Sequence, residues 1–315
     1  MTRHVEQTPT AQQSVTTVPQ VVPSLWIDLL RSLRPRQWVK NAVVFAPLVF
    51  GAQLTHFSAC LRAVLAAGAF CAVGSAVYLY NDWHDAEADR AHPLKRFRPI
   101  AAGRLRGRVV WSTFVVLLLL GAALAIVVNV SLLLVLAAYL LLMVTYTRWL
   151  KHVVLIDVLV IAGGFVLRAV GGGVAVSVPM SPWLYMCTVL LALFLGFAKR
   201  RHELVLLDLA ATNHRPILDD YPVALLDALL TVTAAATIMA YSLYTFSAPN
   251  LPSNHAMMLT IPFVLYGLFR YLYLVYRRES GGVPEQVLLN DLPLLISIVL
   301  WGLAALVVLY APSLL

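Results

Sequence analysis

The sequence predicts an all-α polytopic membrane protein with nine transmembrane helices. Hydrophobic residues make up 61% of the 315 residues and charged residues only 12%, whereas a soluble domain carries about 25% charged residues. Nine apolar stretches are each long enough to cross a bilayer as a helix. Lys and Arg concentrate in alternate connections between these stretches, which is typical of cytoplasmic loops. Composition, length and charge placement therefore all indicate a protein embedded in lipid.

The residues before the first apolar stretch are predicted to form two segments. Residues 1–23 are polar, lack the pattern of a cleavable signal peptide, and predict a disordered tail. Residues 24–36 predict an amphipathic helix in the cytoplasmic interface, with Ser24 as its N-cap and Pro35 at its end. Its apolar stripe comprises Leu25, Leu29, Leu30 and Leu33. A solvated linker is the alternative for this segment, and residues 37–315 form the predicted catalytic membrane domain.

The nine predicted spans alternate with loops of opposite character. They lie at residues 41–57, 60–80, 108–127, 131–149, 153–175, 182–199, 223–246, 257–276 and 292–311. The loops after the even-numbered spans carry Lys or Arg, and the loops after the odd-numbered spans carry neither. Because basic residues stay on the cytoplasmic side, the N-terminus is predicted inside and the C-terminus outside. The loops after spans two and six then lie together on the cytoplasmic face of the cell membrane.

The placement of the positive charge argues against nucleic-acid binding, and the spacing of the cysteines argues against a metal or redox site built on them. The net charge of +8 comes from cytoplasmic loops of a membrane protein, so membrane lipid is the expected partner and nucleic acid is not. Cys60, Cys71 and Cys187 are far apart in apolar stretches and form no metal-binding or redox motif. They are expected to be small packing residues.

An acidic stretch directly after the second span predicts a metal site. If the helix continues, Asn81, Asp85 and Asp89 recur every four residues, and Asp82 lies on the same face. Acidic residues at this spacing repel one another unless a counter-charge is present. Carboxylate and amide oxygens are ligands that Mg²⁺ takes, together with water and substrate phosphates. A solvated acidic helix end is the alternative interpretation.

A basic stretch follows the acidic one and indicates that the bound metal faces phosphate. Pro93 and Pro99 interrupt the helix in this stretch. Cations next to a metal site are what a diphosphate needs, because both charges of the complex must be neutralised. The candidate phosphate-binding cations are Arg90, Lys95, Arg96 and Arg98. Arg104, Arg106 and Arg108 are interpreted as ordinary basic residues of a cytoplasmic loop.

These motifs resemble the UbiA superfamily of intramembrane prenyltransferases. The acidic stretch matches that family's Asn-Asp-x-x-Asp-x-x-x-Asp motif after the second span, and a basic Arg-Pro stretch follows it. Three more stretches, residues 34–41, 164–172 and 199–204, are similar to the branch that transfers phosphoribosyl groups to decaprenyl phosphate. The resemblance runs from about residue 31 to residue 310. It implies nine transmembrane helices around a central cavity.

The resemblance also implies a reaction. Members of this branch transfer 5-phosphoribosyl from phosphoribosyl pyrophosphate (PRPP) to decaprenyl phosphate, a polyprenyl phosphate, and release pyrophosphate. The transfer requires Mg²⁺ and supplies the arabinan precursor decaprenyl-phosphoryl-arabinose for the cell-wall arabinogalactan of mycobacteria. The acceptor phosphate is already ionised at neutral pH, so no general base is needed. The expected site therefore lies at the cytoplasmic face, where PRPP is found.

One departure from the aromatic prenyltransferases of the superfamily bears on the substrate. Those members carry a second Asp-x-x-x-Asp after the sixth span, whereas this chain has Lys199, Arg200, Arg201, His202 and Glu203 there. Cations in place of acids suggest direct contact with a substrate that has a phosphate beside its diphosphate, as PRPP has. Plain interfacial anchoring is the alternative. The acids that follow, Asp208, Asp219 and Asp220, do not restore the missing spacing.

The expected site residues combine the motifs with positions taken from the resemblance. In span five, Asp157 and Arg168 are about three turns apart on one face, and Arg168 either meets a substrate phosphate or pairs with an acid on another helix. The expected metal ligands are Asn81, Asp82, Asp85 and Asp89. The expected catalytic residues are Asp82, Asp85, Asp89, Lys95 and Lys199. The expected substrate-binding residues are Lys40, Arg90, Lys95, Arg96, Arg98, Tyr146, Lys151, Asp157, Arg168, Lys199, Arg200, Arg201 and Glu203.

Two other functions stay open at this point. An aromatic prenyltransferase that uses a polyprenyl diphosphate would need the second acidic pair after span six. A transporter would place ionisable groups and broken helices at the midplane of the membrane, but Arg168 is the only good candidate for a midspan charge. The charged residues Arg62 and Arg270 are interpreted as side chains that reach out to the interface. A homo-oligomer is an open alternative to a monomer.

Overall fold

The computed structural model describes residues 24–93, 95–210, 221–248, 251–277 and 284–311, and regular structure within these ranges is entirely helical. The predicted tail at residues 1–23 lies outside them. The α-helices are α1 (Leu25–Leu33), α2 (Ala46–Phe50), α3 (Phe57–His84), α4 (Ala86–Ala91), α5 (Gly107–Val128), α6 (Val130–Arg148), α7 (Ile156–Val176), α8 (Pro182–Ala210), α9 (Val223–Ser247), α10 (Ile261–Arg277), α11 (Pro284–Asn290) and α12 (Leu292–Tyr310). The all-α prediction is confirmed.

Eight helical segments within the described ranges are long and apolar enough to cross a membrane, so the chain is an integral membrane protein. They correspond to predicted spans two to nine. The first predicted span, 41–57, is instead a 3₁₀ stretch (Pro35–Phe45) that leads into the five-residue helix α2. At about 2.0 Å rise per residue for 3₁₀ and 1.5 Å for α-helix, the two together reach roughly 30 Å, the thickness of the hydrocarbon core. The count of nine crossings stays a prediction.

Helix α7 lies at the centre of the bundle. It packs against α3, α6 and the 3₁₀ stretch on one side and against α8 on the other. The contact with the 3₁₀ stretch is backbone to backbone, because a Cβ atom on Gly172 would lie 2.0 Å from the carbonyl oxygen of Val44. Glycine at this position therefore permits the close approach.

The buried apolar residues form two main clusters on either side of the bundle. One joins the 3₁₀ stretch, α3, α5 and α6 through residues such as Phe70 and Leu132. The other joins α8, α9, α10 and α12 through residues such as Phe194, Leu230 and Leu294. A large cavity, lined by side chains from both halves, lies between them.

The first and last parts of the described chain meet and close the ring of helices. At the end of α12, the hydroxyl of Tyr310 donates to the carbonyl oxygen of Val49 at 2.8 Å and accepts from the Leu54 N–H at 3.3 Å. Helix α11 contacts the 3₁₀ stretch. Arg270, predicted to extend to the interface, donates to both carboxylate oxygens of Asp291 at the start of α12, and its side chain is partly exposed. Its extension to the interface stays a prediction, now with an acidic partner on the neighbouring helix.

Helix α1 exposes most of its apolar side chains, Leu25, Trp26, Ile27 and Leu30, whereas Leu33 packs against the protein. It ends at Leu33 because Arg34 adopts a left-handed conformation (φ 52°), one residue before Pro35. Its buried residues are polar, and Asp28 accepts hydrogen bonds from the Arg104 guanidinium at 2.8 and 3.2 Å. Trp26 is 72% exposed. This arrangement is the one expected of a helix in the membrane interface. Arg104, interpreted from the sequence as an ordinary basic loop residue, also forms an ion pair with Asp28.

Candidate active site

The cavity has a volume of about 2340 Å³ and two chemically different ends. Its apolar part is walled by residues that include Val43, Pro47, Phe165, Leu191, Phe194, Leu195, Ile298 and Trp301. Its charged end is walled by Arg34, Lys40, Asn81, Asp85, Asp89, Lys95, Arg98, Lys151, Lys199, Arg200 and Glu203, with Tyr146 among them. The charged end lies at the ends of α3 and α6 and beside the part of α8 that carries Lys199, Arg200 and Glu203, so the motifs after the second and sixth predicted spans meet there.

The acidic stretch does not form one continuous helix. Helix α3 ends at His84, Asp85 lies at the junction, and α4 begins at Ala86. Helical hydrogen bonds nevertheless continue through the junction, from the Asp85 N–H to the Asn81 carbonyl (2.9 Å) and from the Asp89 N–H to the Asp85 carbonyl (2.8 Å). The helical phase is therefore kept, and Asn81, Asp85 and Asp89 all line the cavity.

Asp82 departs from the expected shared face. It is 3% exposed and is not among the residues that line the cavity. Its Oδ1 accepts from Arg34 Nη2 at 2.5 Å and from Arg98 Nη1 at 3.2 Å. The two guanidinium groups line the cavity, so they stand between this carboxylate and the cavity space.

Each of the three aspartates Asp82, Asp85 and Asp89 is paired with a cation. Arg98 Nη1 donates to Asp89 Oδ2 at 2.7 Å as well as to Asp82. Lys151 Nζ donates to Asp85 Oδ1. Burial raises the pKa of Asp85, but the hydrogen bonds from Lys151 and His84 outweigh it and hold that pKa below its usual value. Asp85 is therefore an anion at neutral pH.

The donor set at this end of the cavity suits a hard divalent cation. Asn81, Asp85 and Asp89 line the cavity and bring one amide oxygen and two carboxylate groups that could serve as ligands. Within the described ranges no three His, Cys, Asp or Glu side chains come together as a ready-made metal cluster. Mg²⁺ does not require one, since it usually takes one or two carboxylates and completes its shell with water and substrate phosphate.

The basic run on α8 is divided between two environments. Lys199, Arg200 and Glu203 line the cavity. Arg201, expected to bind substrate, does not: its Nε donates to Asp227 on α9, and its guanidinium lies 4.4 Å from the ring centre of Tyr276 on α10. The helical rotation between successive residues turns Arg201 away from the cavity. Of the later acids, Asp219 and Asp220 lie outside the described residues.

Arg200 is the most enclosed cation of the site. Its side chain is 1% exposed, and its Nε donates to Asp157 Oδ2 on α7 at 2.5 Å. Its Nη1 donates to Glu203 Oε2 at 2.5 Å and its Nη2 to the hydroxyl of Tyr146 at 3.4 Å. Lys199 lies further from Glu203, at 3.9 Å. Asp157, expected to bind substrate, is fully buried behind Arg200 and does not line the cavity.

Arg168 lines the cavity from the middle of α7, away from the charged end. Its guanidinium donates to Asn41 Oδ1 (2.7 Å), to the hydroxyl of Tyr139 (2.7 Å) and to the carbonyl oxygen of Gly164 (2.9 Å). These partners are neutral, so the acid on another helix that one interpretation required is not among them. Their geometry fixes the guanidinium against the cavity wall.

Two of the expected phosphate-binding cations lie off the cavity. Arg90 Nε donates to the carbonyl oxygen of Ala101 at 3.1 Å, and the Arg96 guanidinium lies 4.9 Å from the ring centre of Phe97. Neither lines the cavity, whereas Lys95 and Arg98 do. Arg90 lies on a face of α4 that is turned from the cavity, and in the 3₁₀ turn Lys95–Phe97 the side chains of Lys95 and Arg96 point in different directions, which the sequence alone does not reveal.

Sequence reasoning missed two residues of the site. Arg34 lines the cavity and binds Asp82, and its position directly before Pro35, at the end of an amphipathic helix, was the available signal. Tyr221 binds Asp157 from the start of α9. No motif marks Tyr221, since its contact spans 64 residues of sequence.

Comparisons with known proteins agree with this architecture. Residues 42–290 match the model of the UbiA prenyltransferase family. The chain is 33% identical to a decaprenyl-phosphate phosphoribosyltransferase of Mycolicibacterium smegmatis (87% of this chain, 89% of the relative). It is 34% identical to one of Corynebacterium glutamicum (87% and 84%) and 33% identical to one of Mycobacterium tuberculosis (90% and 95%).

Solved structures share the fold. A UbiA homologue from Archaeoglobus fulgidus, bound to GPP and Mg²⁺, superposes with a TM-score of 0.69 at 19% identity, over 90% of this chain and 99% of the other. A structure described as digeranylgeranylglyceryl phosphate synthase gives 0.59 at 17% identity, over 91% and 99%. At these identities the likeness concerns the helical architecture.

Proposed function

Since the chain belongs to the UbiA prenyltransferase family and is a transferase, we propose that it moves a 5-phosphoribosyl group from PRPP to a polyprenyl phosphate. The observation that carries this proposal is the charge of the cavity. Among the described residues that line it, eight are Lys or Arg and three are Asp or Glu. That excess of cations suits two phosphate-bearing substrates. The names of the three relatives support the same reaction, with decaprenyl phosphate as acceptor.

The donor pyrophosphate fits beside the acidic stretch. Asn81, Asp85 and Asp89 would hold Mg²⁺, which when bound neutralises the charge that grows on the leaving group. Lys95, Arg98 and Lys151 lie at the same end of the cavity and supply further positive charge to the pyrophosphate oxygens. Asp82 then acts indirectly, by holding Arg34 and Arg98 in place.

The ribose 5-phosphate fits the opposite wall of the charged end. Lys199 and Arg200 lie there on α8, where other members of the family carry a second acidic motif. In the transfer, the bond between ribose C1 and pyrophosphate breaks and a bond between C1 and an acceptor phosphate oxygen forms. The acceptor oxygen is already ionised, so the residues of the site act by position and charge.

The polyprenyl chain fits the apolar part of the cavity. Side chains such as Val43, Pro47, Phe194, Ile298 and Trp301 wall it. A chain placed along them would bring its phosphate to the charged end, where Lys40 lies, and would pass Arg168 on the cavity wall. The reaction belongs at the cytoplasmic face of the cell membrane, because the charge pattern of the loops places the motif-bearing loops inside. Its product would serve arabinan synthesis for the cell wall.

The experiment that tests this proposal uses the purified protein in detergent. PRPP is titrated with and without Mg²⁺, and pyrophosphate release is followed after a polyprenyl phosphate is added. We expect Mg²⁺-dependent PRPP binding and release of pyrophosphate only when both substrates are present. Clear binding of a prenyl diphosphate without any binding of PRPP would instead favour an aromatic prenyltransferase.

A further inference from the structure

Behind the charged end of the cavity, two buried residues, Asp157 and Tyr221, form a hydrogen-bonded network with Arg200, which lines the cavity. Asp157 is 0% exposed and Tyr221 is 2% exposed, and neither lines the cavity. The two Asp157 oxygens are used separately: Oδ2 accepts from Arg200 Nε at 2.5 Å, and Oδ1 accepts from the Tyr221 hydroxyl at 2.8 Å. The network thus links α7, α8 and the segment that leads into α9.

Tyr221 is fixed in turn by the backbone. Its hydroxyl accepts from the N–H of Leu155 at 2.6 Å. Leu155 is the N-cap of α7 and has a positive φ of 66°, a conformation that is costly for a leucine. Burial, and next the hydrogen bond to Asp157, raises the pKa of the Tyr221 phenol. Tyr221 therefore stays protonated at neutral pH and remains a donor to Asp157.

The network determines which edge of Arg200 is available to a ligand. Asp157 accepts the hydrogen bond from Nε on the side of Arg200 that faces away from the cavity. The partners of the two Nη atoms, Glu203 and Tyr146, both line the cavity. A guanidinium held at Nε cannot rotate without breaking a buried ion pair. Its Nη edge therefore has a fixed direction towards the cavity, which lowers the ordering cost of binding a phosphate oxygen.

We propose that Asp157 and Tyr221 are positioning residues that act on the phosphate of PRPP through Arg200. This inference rests on the proposed function and assigns Asp157 a role different from substrate contact. Asp157 fixes the direction of the guanidinium, and Tyr221 fixes Asp157. Loss of either should weaken PRPP binding while leaving the affinity for polyprenyl phosphate unchanged.

The experiment compares PRPP affinity in two tyrosine variants. Tyr221→Phe removes one hydroxyl and keeps the ring, so PRPP affinity should fall about three- to tenfold, the usual effect of one lost hydrogen bond. Tyr310→Phe is the control, since it also removes a tyrosine hydroxyl that is bonded to the backbone but lies off the cavity. Its PRPP affinity should equal that of the unaltered chain, whatever its thermal stability.

A double-mutant cycle separates positioning from a general structural role. In Arg200→Lys the Nε hydrogen bond is gone, so adding Tyr221→Phe should cause no further loss of PRPP affinity. Asp157→Asn should also weaken PRPP binding. If Asp157→Asn does not fold, the Tyr221→Phe variants alone still test the inference.

The outcomes distinguish this inference from the proposed function. Equal PRPP affinity in Tyr221→Phe and the unaltered chain would overturn the inference alone. Losses that multiply in the Arg200→Lys, Tyr221→Phe double variant would do the same. Absence of PRPP binding by the unaltered chain would overturn the proposed function and this inference with it.

Discussion

At the scale of single residues, the charged end of the cavity is a set of exchangeable ion pairs. Asp85 is bound by Lys151, and Asp89 by Arg98. Removing water from two charges costs several kcal/mol per ion, so such pairs contribute little net stability. Removing one partner is expensive, since it leaves the other buried and uncompensated. In the proposed function, Mg²⁺ and phosphate would replace the partners of these pairs.

The carboxylate of Asp85 can be tested with a change that keeps its shape. Asp85→Asn removes an anionic metal ligand, and turnover should fall by about tenfold or more. Addition of a chelator should abolish what remains. Glu87→Gln is the control, since Glu87 is exposed on α4 and does not line the cavity. Steady-state pyrophosphate release measures both, and near-normal turnover in Asp85→Asn would contradict a metal role.

Replacing neighbouring cations of the basic run on α8 should affect PRPP affinity to different extents. Lys199→Ala removes a cavity cation and should weaken PRPP binding by roughly 10- to 150-fold, the worth of a charge-assisted hydrogen bond. Arg201→Ala removes the partner of Asp227 and should lower thermal stability slightly, with PRPP affinity unchanged. Isothermal titration of both variants checks this. Equal losses of PRPP affinity would show that the run acts as a diffuse charge.

The sequence could identify which residue types form the site, but not which of these side chains point into the cavity. Asn81, Asp85 and Asp89 line the cavity as the four-residue spacing predicts, because hydrogen bonding keeps the helical phase. Within the basic run, by contrast, spacing alone does not tell which side chains turn towards α9. Tyr221 could not be found at all, because its role depends on contacts made across the fold.

At the scale of elements, the length of the apolar stretches predicts the positions of the long helices well. It does not predict the backbone geometry where a helix is interrupted. The start of α7 differs from the prediction by three residues, at Ile156 rather than 153. In place of one regular α-helix, the segment of the first predicted span forms the short helix α2 and a 3₁₀ stretch packed against Gly172 of α7, and its crossing of the membrane stays a prediction. Hydropathy counts apolar residues and carries no information on such backbone contact.

The contact at Gly172 gives a test at this scale. Gly172→Ala would place a Cβ atom 2.0 Å from the Val44 carbonyl oxygen, so α7 and the 3₁₀ stretch must separate. We expect a loss of about 1–3 kcal/mol in stability. Gly302→Ala in α12 is the matched control, since its Cβ meets no atom within 4 Å and alanine favours helix. Thermal unfolding in detergent compares them, and equal midpoints would contradict the close packing.

At the scale of the whole molecule, the predicted topology decides whether the site faces the cytoplasm. Cysteine introduced at Ser253, an exposed residue between α9 and α10, should react with an impermeant thiol reagent applied to intact cells. Cysteine at Ala102, an exposed residue between α4 and α5, should react only after lysis. Both variants are made in a chain whose three native cysteines are replaced. The reverse pattern would place the charged end of the cavity outside.

The ion pairs at the charged end also have a consequence for the order of ligand binding. A divalent cation that takes Asp85 and Asp89 removes the counter-charge of Lys151 and one of the two counter-charges of Arg98, which keeps Asp82. A phosphate that takes Lys151 and Arg98 frees the carboxylates of Asp85 and Asp89 in turn. Each ligand thus removes a cost that the other would face alone. Mg²⁺ and PRPP should therefore bind with positive coupling, by a factor that thermodynamic linkage makes equal in both directions. Calorimetric titration of each at several fixed concentrations of the other, corrected for their complex in solution, measures both factors, and independent affinities would rule out an exchange of partners.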